Sequence, residues 1–308
     1  MEIALQFVLL ALGFVMLGKG ADWFVEGAAG IAMRFGIPQL VIGLTIVAMG
    51  TSAPEAAVSI AAAVKGNADI TIGNIVGSNI LNILVILGLA ASIVPIAVAR
   101  STVRIEIPFM IAVTALLFYQ GRDGSISLAD GGVLMVAFAV YMMYLYTMAM
   151  KSNVDSDLEE PGLPLGRCLL GAVGGLALII AGSNVTVGAA TSIATYAGLS
   201  ERFIGLTIVA LGTSLPELFT SVAAARRGNA DIAIGNIVGS NIFNILFVVG
   251  LSSLIIDIPF ASAFNFDTYV ALGAAVLLWL CVLRTQRLQR WAGALMLVCY
   301  AAYLGYIL

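Results

Sequence analysis

Two glutamates occupy equivalent places in two copies of one short motif. The motif reads Gly-Thr-Ser-x-Pro-Glu at residues 50–55 and 212–217, so it ends on Glu55 and Glu217. Each copy lies inside an apolar stretch, where a carboxylate near the centre of a membrane helix costs about 2.5–3.5 kcal/mol. No Lys or Arg lies at matching depth in either stretch. We therefore expect a bound cation to be the partner of both carboxylates.

The proline of each motif predicts a break in its helix. Proline has no N–H group and clashes with the carbonyl four residues earlier. The breaks near residues 50–51 and 212–213 should release backbone carbonyls, which persist in lipid only where they line a cavity or are otherwise satisfied. Hydroxyl groups beside the breaks add further oxygen atoms. They belong to Thr51, Ser52, Thr213 and Ser214.

A second repeated motif supplies amides and more hydroxyls. It reads Gly-Asn-Ile-Val-Gly-Ser-Asn-Ile-x-Asn at residues 73–82 and 235–244. Three of its polar residues are spaced by four and share one helix face. They are Asn74, Ser78 and Asn82 in the first copy, and Asn236, Ser240 and Asn244 in the second. Both motifs together predict an all-oxygen site, which suits a hard cation such as Ca²⁺ or Na⁺.

The composition is typical of a polytopic membrane protein. The chain has 308 residues, of which 61% are hydrophobic and 10% are charged. Soluble domains carry about 25% charged residues, so a soluble enzyme or a nucleic-acid-binding protein is excluded. Histidine is absent, which removes Ser-His-Asp catalysis and imidazole metal ligands. We predict a protein that is not an enzyme and has no cofactor.

Apolar stretches separated by short polar breaks predict an all-α fold with ten transmembrane helices. Most stretches reach the ~20 residues that a membrane helix needs. They lie near residues 3–28, 37–64, 70–96, 104–119, 130–150, 165–197, 203–225, 232–256, 268–283 and 291–308.

Both motifs belong to a longer internal repeat. Residues 42–89 and 204–251 match at a constant offset of 162, with 35 identities over 48 positions. Five predicted spans separate equivalent points, so the second copy should enter the membrane upside down. Such inverted repeats are typical of secondary transporters. We predict a first five-helix repeat at 1–150, a cytoplasmic linker at 151–164 and a second five-helix repeat at 165–308.

The basic residues predict the orientation in the membrane. With the N-terminus outside, the outer breaks hold only Lys65, Arg122 and Arg202. Ten basic residues then fall in cytoplasmic breaks, and this bias places both termini outside. The ten are Arg34, Arg100, Arg104, Lys151, Arg167, Arg226, Arg227, Arg284, Arg287 and Arg290.

The paired motifs resemble the α-repeats of the sodium/calcium exchanger family, within the cation/calcium antiporters. The resemblance covers both repeats closely and, through the ten-span layout, extends over the whole chain. It implies a prokaryotic member with a mid-membrane site built from both halves, and alternating access by sliding of the first and sixth helices. Motif positions carry the family's ligands over to twelve residues. They are the carboxylates of Glu55 and Glu217; the hydroxyls of Ser52, Ser78, Ser214 and Ser240; the backbone carbonyls of Ala48, Thr51, Ala210 and Thr213; and the amides of Asn82 and Asn244.

Two positions bear on the coupling ion. Relatives that include potassium-dependent exchangers have Asp where this chain has Asn244. The proton-coupled calcium antiporters resemble Gly-Asn-x-x-Glu at the start of the second motif, where residues 73–77 read Gly-Asn-Ile-Val-Gly. The resemblance therefore implies electrogenic, K⁺-independent exchange of Na⁺ for Ca²⁺ across a prokaryotic plasma membrane.

Other functions stay open from the sequence. A proton/calcium antiporter or a Na⁺/Mg²⁺ exchanger belongs to the same class, whereas a cation channel and an intramembrane enzyme belong to different ones. A channel usually has several subunits or a continuous polar filter, and an intramembrane enzyme needs a nucleophile with a base or an open metal site. The expected partners are Na⁺, Ca²⁺ and the lipid bilayer, with no nucleic acid and no protein partner inferred.

Overall fold

Helices make up nearly all of the described chain. The computed structural model describes residues 2–66, 68–151, 163–198 and 210–307. Most of the linker predicted at 151–164 lies outside these residues, as does the start of the second repeat copy. Four strands of two residues each interrupt the otherwise helical fold.

The first half consists of helices joined by π-helical stretches and short loops. Its helices are α1 (Glu2–Phe35), α2 (Gln39–Ile42), α3 (Ala48–Thr51), α4 (Ala53–Val64), α5 (Asp69–Leu81), α6 (Gly88–Ile93), α7 (Ile107–Gln120) and α8 (Leu128–Lys151). Its π-helical stretches are Gly43–Val47, Asn82–Leu87 and Thr102–Glu106. Its strands are β1 (Ile96–Ala97) and β2 (Ser125–Ile126).

The described part of the second half follows a similar order, without a π-helical counterpart of Thr102–Glu106. Its described helices are α9 (Leu165–Tyr196), α10 (Ala210–Thr213), α11 (Leu215–Arg226), α12 (Ala230–Phe243), α13 (Gly250–Ser253), α14 (Ala263–Leu283) and α15 (Arg290–Ile307). A π-helical stretch, Asn244–Val249, joins α12 to α13, and the strands are β3 (Ile258–Pro259) and β4 (Arg287–Leu288).

Among residues 2–66, 68–151, 163–198 and 210–307, the helices long and apolar enough to cross a membrane are fewer than the ten predicted. The described residues contain eight, or nine if the pair Gln39–Thr51 and Ala53–Val64, bent by 51°, is one span. The seventh predicted span, 203–225, falls partly outside the described residues. Its described part is dominated by α11, which has 12 residues. The structure therefore supports a polytopic helical protein with eight or nine candidate spans.

Glycines hold α1 and α9 together as a close antiparallel pair. Gly13, Gly20 and Gly27 recur every seven residues on α1. A Cβ atom at Gly20 would lie 2.9 Å from the carbonyl oxygen of Gly175, and one at Gly13 would lie 3.1 Å from that of Gly182. Only hydrogen atoms fit at these positions, so the two backbones touch directly, as small residues allow in membrane helix pairs.

The two spans that carry the second motif form the core. In the most apolar 18 residues of the span Ala230–Ser253, 94% of the residues are buried within the protein, against 17% in the span Leu128–Lys151. Gly239 admits the backbone of Leu44, because a Cβ atom there would lie 2.8 Å from the Leu44 carbonyl oxygen. The glycine at position 239 therefore lets two helix backbones approach closely in the second copy.

The short strands pair across the two halves. β1 pairs with β4 and β2 with β3, both antiparallel, with Ile96 opposite Leu288 and Ile126 opposite Ile258. The repeat offset of 162 relates Ile96 to Ile258 and Ile126 to Leu288. Each small sheet is therefore the counterpart of the other, although the all-α prediction did not include them.

Candidate cation-binding site

The predicted break is present in both copies of the first motif. Ser52 separates α3 from α4 with φ −81° and ψ 5°, and Ser214 separates α10 from α11 with φ −94° and ψ 5°. Pro54 and Pro216 are each the second residue of the helix that follows. A proline is tolerated in a first helical turn, where its missing N–H would have no intrahelical partner. The helix therefore restarts just before each proline.

The break places both glutamates in a first helical turn. Glu55 lies in the first turn of α4 and Glu217 in that of α11, with 1% and 0% of their surfaces exposed. The positive end of the helix dipole favours a negative charge there. Within the described part of the chain, the ion pairs are those of Arg227 with Asp22 and Glu26, so neither buried glutamate has a basic partner.

Each glutamate is bound by the serine of the other copy. Ser52 Oγ donates to Glu217 Oε1 over 2.9 Å, and Ser214 Oγ donates to Glu55 Oε1 over 3.1 Å. The two breaks, which are 162 residues apart in sequence, therefore meet in space. The structure brings together four of the residues that the sequence predicted as ligands.

The closing asparagines of the second motif also pair with the opposite half. Asn82 Nδ2 donates to Asn241 Oδ1 over 2.9 Å, and Asn244 Nδ2 donates to Asn79 Oδ1 over 3.1 Å. Both Asn82 and Asn244 are the first residue of a π-helical stretch, a feature common at functional sites. The stretch that Asn82 begins packs against α11, and the stretch that Asn244 begins packs against α4.

Four buried oxygen atoms in this region have no hydrogen-bond partner. They are Glu55 Oε2, Glu217 Oε2, Asn82 Oδ1 and Asn244 Oδ1. A buried polar atom without a partner costs about 1–3 kcal/mol, and more where it is charged. Four acceptors, two of them carboxylate oxygens, fit a hard cation. Since the described residues contain no group of three His, Cys, Asp or Glu that could hold a metal, the remaining ligands would be neutral.

A carbonyl at the first break belongs to the same region. Ala48 O accepts from Ser240 Oγ over 3.3 Å and from Thr51 Oγ1 over 3.3 Å. Thr51 Oγ1 also lies 2.9 Å from Asn236 Oδ1. The predicted ligands Ala48, Thr51 and Ser240 are therefore neighbours, although they come from opposite copies of the repeat.

The other three predicted ligands lie on α5 and α10, next to the residues already described. Ser78 is buried on α5, one turn before Asn82, whereas Ala210 and Thr213 begin and end α10. Their role as ligands stays a prediction.

Two amides expected near the cation instead fasten neighbouring helices together. Asn74 Nδ2 donates to Ser59 Oγ over 2.9 Å, and Asn236 Nδ2 donates to Ser221 Oγ over 2.9 Å. The same amide groups also reach the backbone carbonyls of the glutamates, at 3.3 Å and 3.4 Å. They thus hold the glutamate helices in place. Ser59 and Ser221 were missed, although their identity in both copies was a signal that could have found them.

One carbonyl expected to be released by a break is already bound. Ser183 Oγ on α9 donates to Gly212 O over 2.7 Å. The offset of 162 relates Ser183 to Ala21, which has no hydroxyl. The repeat could not reveal this contact, because Ser183 lies outside the matched segments and its counterpart Ala21 has no hydroxyl.

Comparisons with known proteins agree on one family. The family model described as "Sodium/calcium exchanger protein" matches residues 5–147 and 168–308. The chain is 40% identical over 314 residues to the "Putative antiporter CaxA" of Alkalimonas amylolytica, with 98% of each chain covered.

Two further relatives cover most of the chain. It is 40% identical over 260 residues to the "Inner membrane protein YrbG" of Escherichia coli (strain K12), which covers 80% of this chain and 79% of that one. Among solved structures, the sodium-calcium exchanger NCX_Mj, soaked with zero Na⁺ and Ca²⁺, matches with a TM-score of 0.87 and 33% identity. That match covers 99% of this chain and 100% of the other.

Proposed function

The chain belongs to the sodium/calcium exchanger family, and from this premise we propose that it exchanges Na⁺ for Ca²⁺ at the candidate site. It is a polytopic membrane antiporter and not an enzyme, with the two ions as substrates. The observation that carries the proposal is the set of four buried oxygen atoms without partners, two from each half. Two are carboxylate oxygens and two are amide oxygens, which are the acceptors that a hard cation prefers.

We propose the same twelve ligands that the family resemblance implies. The contacts between the copies support this set, because most of its members already meet at the two helix breaks. The proposed ligands are the side chains of Ser52, Glu55, Ser78, Asn82, Ser214, Glu217, Ser240 and Asn244, and the backbone carbonyls of Ala48, Thr51, Ala210 and Thr213.

Charge explains why the two ions would exclude each other. One Ca²⁺ balances the carboxylates of Glu55 and Glu217, and added Na⁺ would give the buried site a net positive charge. Ser52 and Ser214 donate to these carboxylates, and a hydroxyl oxygen keeps lone pairs that can face a cation. Several Na⁺ ions could therefore use the same oxygens, but not together with Ca²⁺. Such competition is what an antiporter requires.

The proposed exchange moves net charge and does not need K⁺. Replacing one divalent ion by three monovalent ions carries one elementary charge per cycle, worth about 2.3 kcal/mol per 100 mV. Asn244 supplies an amide where the potassium-dependent relatives have an acid, so the site has two formal charges rather than three.

Inverted repeats of five helices each, at 1–150 and 165–308, are the architecture that we propose. Contacts that map onto each other under the offset of 162 support it, because a twofold axis between the halves makes each contact reciprocal. The serine–glutamate bonds behave in this way, as do the two strand pairs. Ten spans follow if 151–164 is a linker and α11 completes a span with the residues before it.

The proposed orientation places both termini outside the cell. β1 and β4 pair at an edge that also carries Arg100 and Arg290, whereas Asp123 and Asp257 accompany the pair of β2 and β3. The positive-inside rule assigns the first edge to the cytoplasm. The E. coli relative is described as an inner membrane protein, which supports the same membrane for this chain.

Reconstitution into liposomes tests the proposed function. Na⁺-loaded vesicles that contain the full chain should take up ⁴⁵Ca²⁺ from a Na⁺-free medium with choline in place of K⁺. Currents on a solid-supported membrane should appear when Na⁺ or Ca²⁺ is added. Uptake that follows a pH gradient instead of the Na⁺ gradient would assign a proton antiporter, and passive uptake without any counter-ion gradient would assign a channel.

A further inference from the structure

Two asparagines outside the proposed ligand set join the halves at the core. Asn79 lies on α5 and Asn241 on α12, and only 3% and 1% of their surfaces are exposed. Asn79 Nδ2 donates to the backbone carbonyl of Asn241 over 3.2 Å, and Asn241 Nδ2 donates to that of Asn79, also over 3.2 Å. The offset of 162 relates the two residues, so this contact is reciprocal.

The backbone carbonyls fix which way these amides point. A carbonyl can only accept a hydrogen bond, so the nitrogen of each amide must face it. The amide oxygen of Asn79 then has to point the other way, as does that of Asn241. Their orientation therefore follows from the main chain and does not depend on an arbitrary choice between two amide rotamers.

The fixed oxygens in turn orient two proposed ligands. Asn79 Oδ1 accepts from Asn244 Nδ2 over 3.1 Å, and Asn241 Oδ1 accepts from Asn82 Nδ2 over 2.9 Å. An oxygen acceptor must face a nitrogen donor, so the NH₂ groups of Asn82 and Asn244 are turned toward these partners. Their own oxygens are left on the opposite side, buried and without a hydrogen-bond partner.

We propose that Asn79 and Asn241 are positioning residues that hold the amide oxygens of Asn244 and Asn82 toward the transported cation. This inference rests on the proposed function. An amide turned by 180° would present N–H groups and repel a cation, so a wrongly turned ligand would weaken binding. Because the anchors are backbone carbonyls, the oxygens are already oriented before an ion arrives, which lowers the ordering cost of binding.

The pairing crosses between the repeats, which gives the inference a specific test. Asn79 of the first copy orients Asn244 of the second, and Asn241 orients Asn82. An aspartate in place of a ligand asparagine has oxygen on both sides of its carboxylate, so it needs no orienting partner. It should therefore rescue the loss of its own positioning residue and not the loss of the other one.

The experiment combines two positioning variants with two ligand variants in the full chain. Asn79→Ala is made as a single variant and as two double variants, one with Asn82→Asp and one with Asn244→Asp. Asn241→Ala is made in the same three forms. Ca²⁺ affinity is measured by calorimetry on the purified protein, and Na⁺-driven ⁴⁵Ca²⁺ uptake gives KM and kcat in liposomes. The added negative charge is the same in both backgrounds, so comparing each aspartate across the two backgrounds cancels the effect of charge. Each aspartate is also measured alone, which gives the effect of placing its carboxylate against the amide oxygen of an intact positioning residue.

The expected pattern is a crossed rescue. Each alanine variant alone should raise the Kd for Ca²⁺ about three- to tenfold, the effect of one lost hydrogen bond, and raise KM more than it lowers kcat. Asn244→Asp should restore affinity in the Asn79→Ala background more than in the Asn241→Ala background. Asn82→Asp should show the opposite preference. A role limited to helix packing would lower the melting temperature without this preference.

Equal rescue by both aspartates in both backgrounds would overturn the inference, as would an unchanged Kd in both alanine variants. If an alanine variant does not fold, the corresponding leucine variant, Asn79→Leu or Asn241→Leu, takes its place in the experiment. Leucine retains most of the volume of the asparagine side chain. If the leucine variants also fail while Asn82→Ala and Asn244→Ala fold, Asn79 and Asn241 are structural residues and the inference is wrong. If the unmodified protein shows no Na⁺-driven uptake, the proposed function is refuted instead.

Discussion

At the scale of single residues, the site uses side chains that both donate and accept hydrogen bonds. Ser52 and Ser214 donate to glutamates, whereas Asn82 and Asn244 donate to other asparagines. Each of these groups keeps an oxygen that can face a cation. The same side chains can therefore hydrogen-bond to the protein while an oxygen stays available to an ion.

Neutralising either buried glutamate should abolish Ca²⁺ transport. Removing one partner of a buried charge pair costs about 3–5 kcal/mol, which corresponds to more than a hundredfold in affinity. We expect Glu55→Gln and Glu217→Gln each to lose Na⁺-driven ⁴⁵Ca²⁺ uptake while still eluting as folded protein. The exposed acid Asp123 serves as the control, because Asp123→Asn should transport normally. Near-normal uptake by either glutamine variant would remove that glutamate from the site.

Adding a third acid should change ion selectivity. In Asn244→Asp the new carboxylate has no N–H to donate to Asn79 Oδ1, so two acceptors face each other where a hydrogen bond was. We expect weaker discrimination between Na⁺ and Ca²⁺ and greater sensitivity to other monovalent cations or protons. The measurement is ⁴⁵Ca²⁺ uptake against Na⁺, K⁺ and pH, with the unmodified protein as reference. If the unmodified protein itself needs K⁺, the charge count of the site is wrong.

At the scale of elements, interrupted helices and glycine contacts determine what can bind and what can move. The breaks at Ser52 and Ser214 expose helix ends inside the protein, and π-helical stretches begin at Asn82 and Asn244. The pair of α1 and α9, in contrast, is continuous and meets through glycines. This pair fits the helices that the family resemblance expects to slide, because a continuous rigid pair can move as one unit.

The glycine contact between α1 and α9 makes a testable distinction between two neighbouring glycines. A Cβ atom at Gly20 would lie 2.9 Å from the backbone of α9, whereas one at Gly18 would meet no described atom within 4 Å. We expect Gly20→Ala to cost about 1–3 kcal/mol by overpacking and to slow transport. Gly18→Ala is the matched control and should be neutral or more stable by about 0.5–1 kcal/mol. Thermal unfolding in detergent and uptake rates measure both effects, and equal behaviour of the two variants would contradict a tight α1–α9 contact.

At the scale of the whole molecule, one approximate twofold relation organises the site, the core and the strands. It relates the serine–glutamate bonds, the asparagine contacts and the two strand pairs through a single offset of 162. It is not complete, since Ser183 binds Gly212 and its counterpart Ala21 has no hydroxyl. The two halves therefore share the hydrogen bonds between their motifs but differ in how α1 and α9 contact the breaks.

Chemical labelling tests the proposed orientation of the molecule. After replacement of the three native cysteines, single cysteines at Asn67 and Arg122 should react with an impermeant maleimide on intact cells. Cysteines at Ser156 and Arg287 should react only after the membrane is opened. The reason is the excess of basic residues in the predicted cytoplasmic breaks. Labelling of the cysteine that replaces Ser156 from outside would show that the orientation is the opposite of the one proposed.

The sequence by itself determined the class of protein and singled out the two carboxylates of the proposed site. Composition excludes a soluble protein, and the repeat places Glu55 and Glu217 in equivalent positions beside prolines. These are local properties, because a buried charge in an apolar stretch needs a partner whatever the fold. The same reasoning correctly predicted the helix breaks, since the effect of Pro54 and Pro216 is exerted on their own helix.

Only the tertiary structure decided which polar groups keep an unpartnered oxygen and which hold the helices together. Asn74 and Asn82 lie on one helix face, yet Asn74 binds Ser59 while the oxygen of Asn82 stays unpartnered. Asn79, which no periodicity singled out, orients Asn244 in the other half. Such roles depend on which helix packs against the residue and on which part of that helix lies next to it. That information comes from packing between distant segments, and no local pattern in the chain contains it.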